Sequence, residues 1–235
     1  MKNYIIVGLV LCLVVALSGC IWQGTGSGNL INQSQNVQGF NQISLNGQGN
    51  LIITQGSSDS LTIEAEDNIV PKIKTSVNDN KLSISFDPNT PVATKPINFY
   101  VTVKDLNLLE IAGAGQIQTN SLNTQSLTIN INGSGNGNLG GLNLEKLIVK
   151  INGAGKMNMS GTAREQTIII AGAGDYSASG LQSYTASVTI NGSGKAALNV
   201  VDVLNAIING AGEVSYTGSP QVNQQINGGG SVKKT

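Results

Sequence analysis

Beyond residue 108 the apolar residues fall in pairs spaced by two, and the pairs recur at a steady interval. One set is Leu109/Ile111, Ile129/Ile131, Val149/Ile151, Ile168/Ile170, Val188/Ile190 and Ala206/Ile208. A second set follows it in each interval: Ile117/Thr119, Gly137/Leu139, Met157/Met159, Tyr176/Ala178, Ala196/Leu198 and Val214/Tyr216. Further apolar points come at Leu122, Leu142, Leu181 and Val201, and again at Leu127, Leu147 and Leu204. Spacing by two is the signature of a strand with one buried face. Each interval therefore holds two or three short strands with bends between them.

The bends carry a short phrase, I-x-G-x-G. It occurs seven times, beginning at Ile111, Ile131, Ile151, Ile170, Ile190, Ile208 and Ile226, in steps of 20, 20, 19, 20, 18 and 18 residues. A constant period near 20 marks a solenoid. The first glycines of the phrase, Gly113, Gly133, Gly153, Gly172, Gly192, Gly210 and Gly228, are the structural repeat positions. There the chain needs a positive φ or a close backbone approach, which glycine allows. Repeated G-x-G bends argue against stacked helices. The pattern predicts an all-β fold: a single right-handed parallel β-helix with about 20 residues per turn. At about 4.8 Å per rung, six intervals stack to about 29 Å.

Residues 37–111 alternate without the strict period. Strands are expected at Phe40–Leu45, Asn50–Gln55, Ser60–Ala65, Lys72–Ser76, Lys81–Phe86, Ile97–Val103 and Leu108–Ile111, with a longer loop over Asp87–Pro96. Pro71, Pro88, Pro91 and Pro96 mark the irregular connections. This half reads as the less regular N-terminal turns of the same solenoid.

The start of the chain belongs to another class of signal. Lys2 precedes an apolar run from Ile5 to Leu17, too short for a comfortable membrane span, and the run ends in Leu17-Ser18-Gly19-Cys20. This resembles the prokaryotic lipoprotein signal, which implies a lipidated Cys20 at the mature N-terminus. The domain plan is then a signal peptide over 1–19, the lipidated Cys and a flexible tether over 20–36, and the β-helix over 37–235. A Gly/Ser/Asn/Gln tether of that length reaches about 20–24 Å. Cys12 falls in the removed segment, so the mature chain has no internal disulfide. The implied location is membrane-anchored and extracytoplasmic.

Composition narrows the chemistry. The 235 residues include 13 basic and 13 acidic groups, no His, and aromatics at only 4%, which removes the electrostatic case for nucleic acid. Without His there is no Ser-His-Asp triad and no usual zinc site. Arg164 is the single arginine. No catalytic residue, cofactor or metal is expected.

Four patterns are candidates for more. A column after the second glycine reads Gln116, Asn136, Lys156, Asp175, Lys195, Glu213. It places Lys195 between two carboxylates about 10 Å apart, a separation near that of an inverting glycosidase. The intervening lysine keeps both ionised, so an alternating-charge ladder is the stronger reading. Asn132, Asn152, Asn191, Asn209 and Asn227 suit an amide ladder better than a glycan face. Gly172-Ala173-Gly174-Asp175-Tyr176 resembles a calcium nonapeptide only once, and Glu64–Asp67 is a loose cation candidate better read as a solvated strand end.

The segments VQGFNQISLNGQGNLIITQG and INFYVTVKDLNLLEIAGAGQIQT, with the repeated INGSG and INGAG phrases, resemble the putative auto-transporter adhesin head GIN domain family over about residues 37–218. The resemblance implies a β-helix in secreted or surface-attached prokaryotic proteins. It brings no catalytic residues. The expected function is non-catalytic: surface adhesion, binding or envelope scaffolding by a lipid-anchored solenoid. The alternatives are a carbohydrate-binding or carbohydrate-processing β-helix and, behind it, a small-molecule or signal-sensing domain. Expected partners are the membrane, through the N-terminal lipid, and glycans or envelope or surface proteins. The solenoid ends are candidate oligomer contacts.

Overall fold

The computed structural model describes residues 24–235. Its backbone is built of strands joined in one sheet system, with a single 3-10 turn at Val70–Lys72 and about six turns of roughly 20 residues. The amino-terminal strands are β1 (Leu30–Gln35), β2 (Gln42–Gly47), β3 (Asn50–Gln55), β4 (Ser60–Glu66), β5 (Ile73–Asn78), β6 (Lys81–Phe86), β7 (Asn98–Val103), β8 (Leu108–Gly113) and β9 (Gln116–Thr119). The repeats form β10 (Leu122–Gly133), β11 (Asn136–Gly153), β12 (Lys156–Gly172), β13 (Asp175–Gly192) and β14 (Lys195–Gly210). The last rung is split into β15 (Glu213–Gly218), β16 (Gln221–Asn227) and β17 (Ser231–Lys234).

Strands β10 to β14 bend around corners, and their neighbours stack parallel in register. Ile131 sits on Ile151, Ile151 on Ile170, Ile170 on Ile190, and Ile190 on Ile208. All five are fully buried. Within β11 the inward residues are Gly137 and Leu139, then Leu142 and Leu144, then Leu147, Val149 and Ile151. The parity of the alternation changes at Gly140–Gly141 and again at Glu145–Lys146. Because a side-chain period of two cannot change parity on a flat strand, each change marks a corner. With the G-x-G bend, every turn has three faces and three corners. The expected inward role of Val201 is corrected: Val200 points inward and Val201 is exposed, because an extra residue enters this corner in β14. Ile226, the last of the isoleucine column, is 37% exposed at the open end.

The amino-terminal half departs from a plain opening turn. Rung β2–β3 stacks parallel on β8 and β9, pairing Leu45 with Ile111 and Leu51 with Ile117. Yet β6 and β7 stack parallel on its other side. The first rung in sequence is thus the second in space. Beyond it lie antiparallel strands: β5 on β6, β4 on β7, and β1 on β4. They cover the end of the stack and its unpaired backbone edge.

The tether expected over 20–36 is corrected for its described part. Leu30–Gln35 is the outermost strand of this cap, and Thr25 bridges Val92. Its polar residues look like linker, but an outermost strand exposed on both faces needs few apolar side chains. The reason the segment is ordered lies elsewhere, in Glu66. Its buried carboxylate accepts from the backbone N–H of Gly28 at 2.7 Å, from that of Thr94 at 2.9 Å, and from the Thr94 hydroxyl. Asp67 adds bonds from Ser27 and Asn29.

Candidate functional site

The I-x-G-x-G corner is closely packed from rung to rung. At Gly153, φ is 131°, and a Cβ there would lie 2.3 Å from the carbonyl oxygen of Gly133 in the rung before. The same clash, at 2.3–2.6 Å, recurs along the column from Gly113 through Gly228. That oxygen accepts the N–H of the residue after the next glycine, as Ala154 N–H to Gly133 at 3.0 Å. The second glycine leaves room for an isoleucine: a Cβ on Gly174 would stand 2.5 Å from Ile151 Cγ2. The phrase is one packing unit, with isoleucine filling the space that the next turn's glycine leaves open.

Next to this corner, the charge column stacks as its spacing implies. Lys156 pairs with Asp175, Asp175 with Lys195 and Lys195 with Glu213. Lys156 Nζ lies 3.8 Å from Asp175, and Lys233 Nζ lies 3.2 Å from Glu213. The asparagines form bonds between rungs: Asn152 donates to Asn132 at 2.9 Å, Asn209 to Asn191 at 2.8 Å and Asn227 to Asn209 at 2.8 Å. Their amides are engaged with one another, as an amide ladder requires.

A polar group inside the core had no signal beyond one break in a leucine column. Gln166 stands where other turns have Leu147 and Leu204. Its Nε2 donates to Ser183 at 2.6 Å, and Tyr176 donates to its Oε1 at 3.0 Å. Ser183 in turn donates to the Asn199 carbonyl at 3.2 Å. Burial drives the Tyr176 phenol strongly upward, so it stays protonated and serves as a donor. This network is satisfied and closed to solvent, which suits structure rather than chemistry.

The corner at Glu145–Lys146 is different. Going up the rungs, its outward residues are Glu145 and Lys146, Arg164 and Glu165, Tyr184 and Thr185, then Val201 and Asp202. All of these but Val201 line a shallow surface groove of about 640 Å³. Tyr184 is 56% exposed, and Val201 is exposed on the rung above. The side chains of Glu145, Lys146, Arg164, Glu165, Tyr184 and Asp202 make no hydrogen bond or ion pair with other described residues. The asparagine ladders bond to themselves from rung to rung, whereas the charged side chains of this corner face solvent. No sequence pattern pointed to this cluster. Its members follow the repeat glycine by 12, 11, 12 and 10 residues at Glu145, Arg164, Tyr184 and Asp202, so alignment on the phrase scatters them. The single Arg164 was the available signal.

Cys20 lies outside the described residues. The loose cation candidate at Glu64–Asp67 is turned inward to the protein's own donors: Glu64 accepts from Asn98 at 2.8 Å, and Glu66 and Asp67 bind the cap. Among the described residues, no three His, Cys, Asp or Glu side chains gather as metal ligands, and no helix is long and apolar enough to cross a membrane.

The chain is similar to several solved structures. A putative adhesin from Bacteroides fragilis NCTC 9343 shares 29% identity and a TM-score of 0.81, over 90% of this chain and 99% of that one. Putative adhesins from Parabacteroides distasonis ATCC 8503 and Parabacteroides merdae ATCC 43184 share the fold. Each has 24% identity over 90% of this chain, with 99% and 98% of their own chains covered and TM-scores of 0.74 and 0.69. No significant match to a curated protein was found. A family model matches residues 39–220, and the chain accordingly belongs to the family described as putative auto-transporter adhesin, head GIN domain.

Proposed function

We propose that this protein is a non-catalytic adhesion module, anchored outside the cytoplasm by a lipid on Cys20, that binds glycan along the Glu145–Asp202 corner. Family membership and the adhesin-like solved structures support an adhesion-type role at a surface. The observation that carries the ligand site is the unpartnered set around Tyr184 and Arg164. An exposed tyrosine ring offers a face to the apolar side of a sugar. Arg164 and Lys146 donate to hydroxyl oxygens, and Glu145, Glu165 and Asp202 accept hydroxyl protons. Three carboxylates against two cations give the groove no positive excess, which favours a neutral polysaccharide over an acidic one. Their backbone is held on stacked β-strands, so binding orders side chains alone, which limits its entropy cost.

The same groups make a poor catalyst. All the corner carboxylates are exposed to water, whereas general-acid chemistry relies on a carboxyl set apart by a desolvated setting. In the charge column, Lys195 stands between Asp175 and Glu213.

Binding is tested on the purified domain with neutral glucan, neutral mannan and a polyuronate, assayed for affinity and for new reducing ends or unsaturated products. The expected result is binding to a neutral polymer without turnover. Tyr184→Ala and Arg164→Ala should each weaken it about tenfold, or about 1.4 kcal/mol, with the melting curve unmoved. Unchanged affinity in both variants removes the corner as the site. Turnover lost in Asp175→Asn combined with Glu213→Gln establishes an enzyme instead. For the anchor, Cys20→Ser should release the protein from membranes or leave an unprocessed precursor; normal retention of a processed variant refutes it.

A further inference from the structure

A second surface feature lies where the described chain begins. The loop after β6 carries Pro88, Pro91 and Val92, and with Phe86, Gln48 and Ala114 it frames an open groove of about 480 Å³. Val92 is 55% exposed, which with Tyr184 makes it the most exposed large apolar side chain among the described residues. The backbone of Val92 also ties down the first described residues: its N–H donates to Gly24 at 2.9 Å, and its carbonyl accepts from Gly26 at 2.8 Å. Gly24, the first described residue, thus lies beside this groove.

Resting on the reading of Cys20 as the lipidated residue, we infer that the Phe86–Val92 groove sits on the lipid surface and fixes how the rod is held against the membrane. The chain length decides the occupant. Only Ile21, Trp22 and Gln23 separate Cys20 from Gly24. Four residues of extended chain span at most about 14 Å, and a helix with its side chains is already about 10–12 Å thick. A folded partner domain has at least two such packed layers and does not fit in that gap, whereas the headgroup layer does. A head-to-tail second copy is also disfavoured, because the cap strands β1, β4 and β5 run antiparallel and close this end of the stack.

The contact is apolar rather than electrostatic. Lys74 pairs with Asp87 at 3.3 Å, Lys72 lies near the same carboxylate, and Lys95 follows the Thr94 that binds Glu66. Asp87 offsets part of the lysine charge at this rim, and the side chains that face the groove itself are mostly apolar. One valine, two prolines and part of a phenylalanine are too little to bind a bilayer alone; their effect appears once an acyl anchor supplies the local concentration. The groove then selects an orientation, which leaves the Glu145–Asp202 corner, a different edge of the prism, free for ligand.

The test uses the mature lipidated protein carrying Val92→Cys, with Lys233→Cys as the control at the far end. Both are labelled with an environment-sensitive fluorophore and reconstituted in phosphatidylcholine vesicles, with and without phosphatidylglycerol. The exposed position of Val92 makes the substitution tolerable. The label at 92 should shift to the blue and be quenched at least twofold more by doxyl-labelled lipid than the label at 233. The result should be the same in both lipid mixtures and in 1 M salt. If the protein stays vesicle-bound while the label at 92 remains in water, the groove does not face the membrane and the anchor stands. If the protein does not stay bound at all, the anchor reading falls and this inference with it. Quenching that vanishes in salt or needs phosphatidylglycerol overturns the apolar contact in favour of a charged one.

Discussion

The stack beyond Gly113 and the cap before it bury similar apolar side chains, yet they are held in opposite ways. In the stack one set of contacts is repeated: isoleucine under glycine, carbonyl to N–H, amide to amide. A fault in one rung is a fault in both its neighbours. In the cap the contacts occur once. Glu66 gathers two segments of chain, at Gly28 and at Thr94–Lys95, and Asp59 ties Gly39 to Lys104 in the same manner. Repetition makes stability collective and insensitive to pH. Carboxylates that clamp the chain once each, Glu66 and Asp67, make it local and titratable.

The comparison breaks most severely at a repeat glycine. Gly153→Val places a β-branched side chain at φ 131° and against the Gly133 carbonyl. It should cost at least about 4 kcal/mol or prevent folding. Gly39→Ala in the cap, at φ 73° with open space around it, should cost only about 1 kcal/mol. Equal losses in denaturant melts would show that space at the glycine column is not what matters.

Next in size is the spine. Ile170→Ala, buried between Ile151 and Ile190, should cost about 2–5 kcal/mol. Ile226→Ala at the open end should cost less than about 1 kcal/mol. A large loss at Ile226 would mean that the carboxyl-terminal end is covered in solution.

The cap is sharpened by pH. Hydrogen bonds, the Thr94 hydroxyl first, hold the Glu66 carboxyl below its ordinary range, and the Asn29 and Ser27 side chains do the same for Asp67. A depressed folded-state pKa gives stability that is present above the unfolded value, about 4.3 for Glu, and is lost as pH falls through the folded value. Hydrogen-exchange protection of residues 24–35 should therefore fall below about pH 4 while the stack keeps its own. Glu66→Gln should weaken cap protection already at neutral pH and remove most of its acid sensitivity. An identical acid response in cap and stack would refute the distinction.

The smallest effect belongs to the exposed ladder. Lys156→Ala removes a 3.8 Å contact from a side chain that is 70% exposed, and it should change stability by no more than about 0.5 kcal/mol. A loss near that of Ile170→Ala would invert the assignment of inward and outward faces.

The sequence by itself determined whatever repeats. Alternation, the 18–20-residue step, the glycine corners and the asparagine ladder each follow from local spacing, because a strand's side-chain period and a glycine's freedom are local properties. The strands β3 and β6 were legible to the residue for the same reason. Tertiary structure alone decided what happens once. The rung β2–β3 lies inside β6–β7 because pairing across the stack is non-local, and no alternation records its order. Leu30–Gln35 became a strand because Glu66 and Asp67 recruit the chain ahead of it, although its composition is that of a linker. The Glu145–Arg164–Tyr184–Asp202 corner arose because turns of unequal length still stack in register. The extra or missing residues collect at the corners, so residues at shifting sequence offsets meet on one edge.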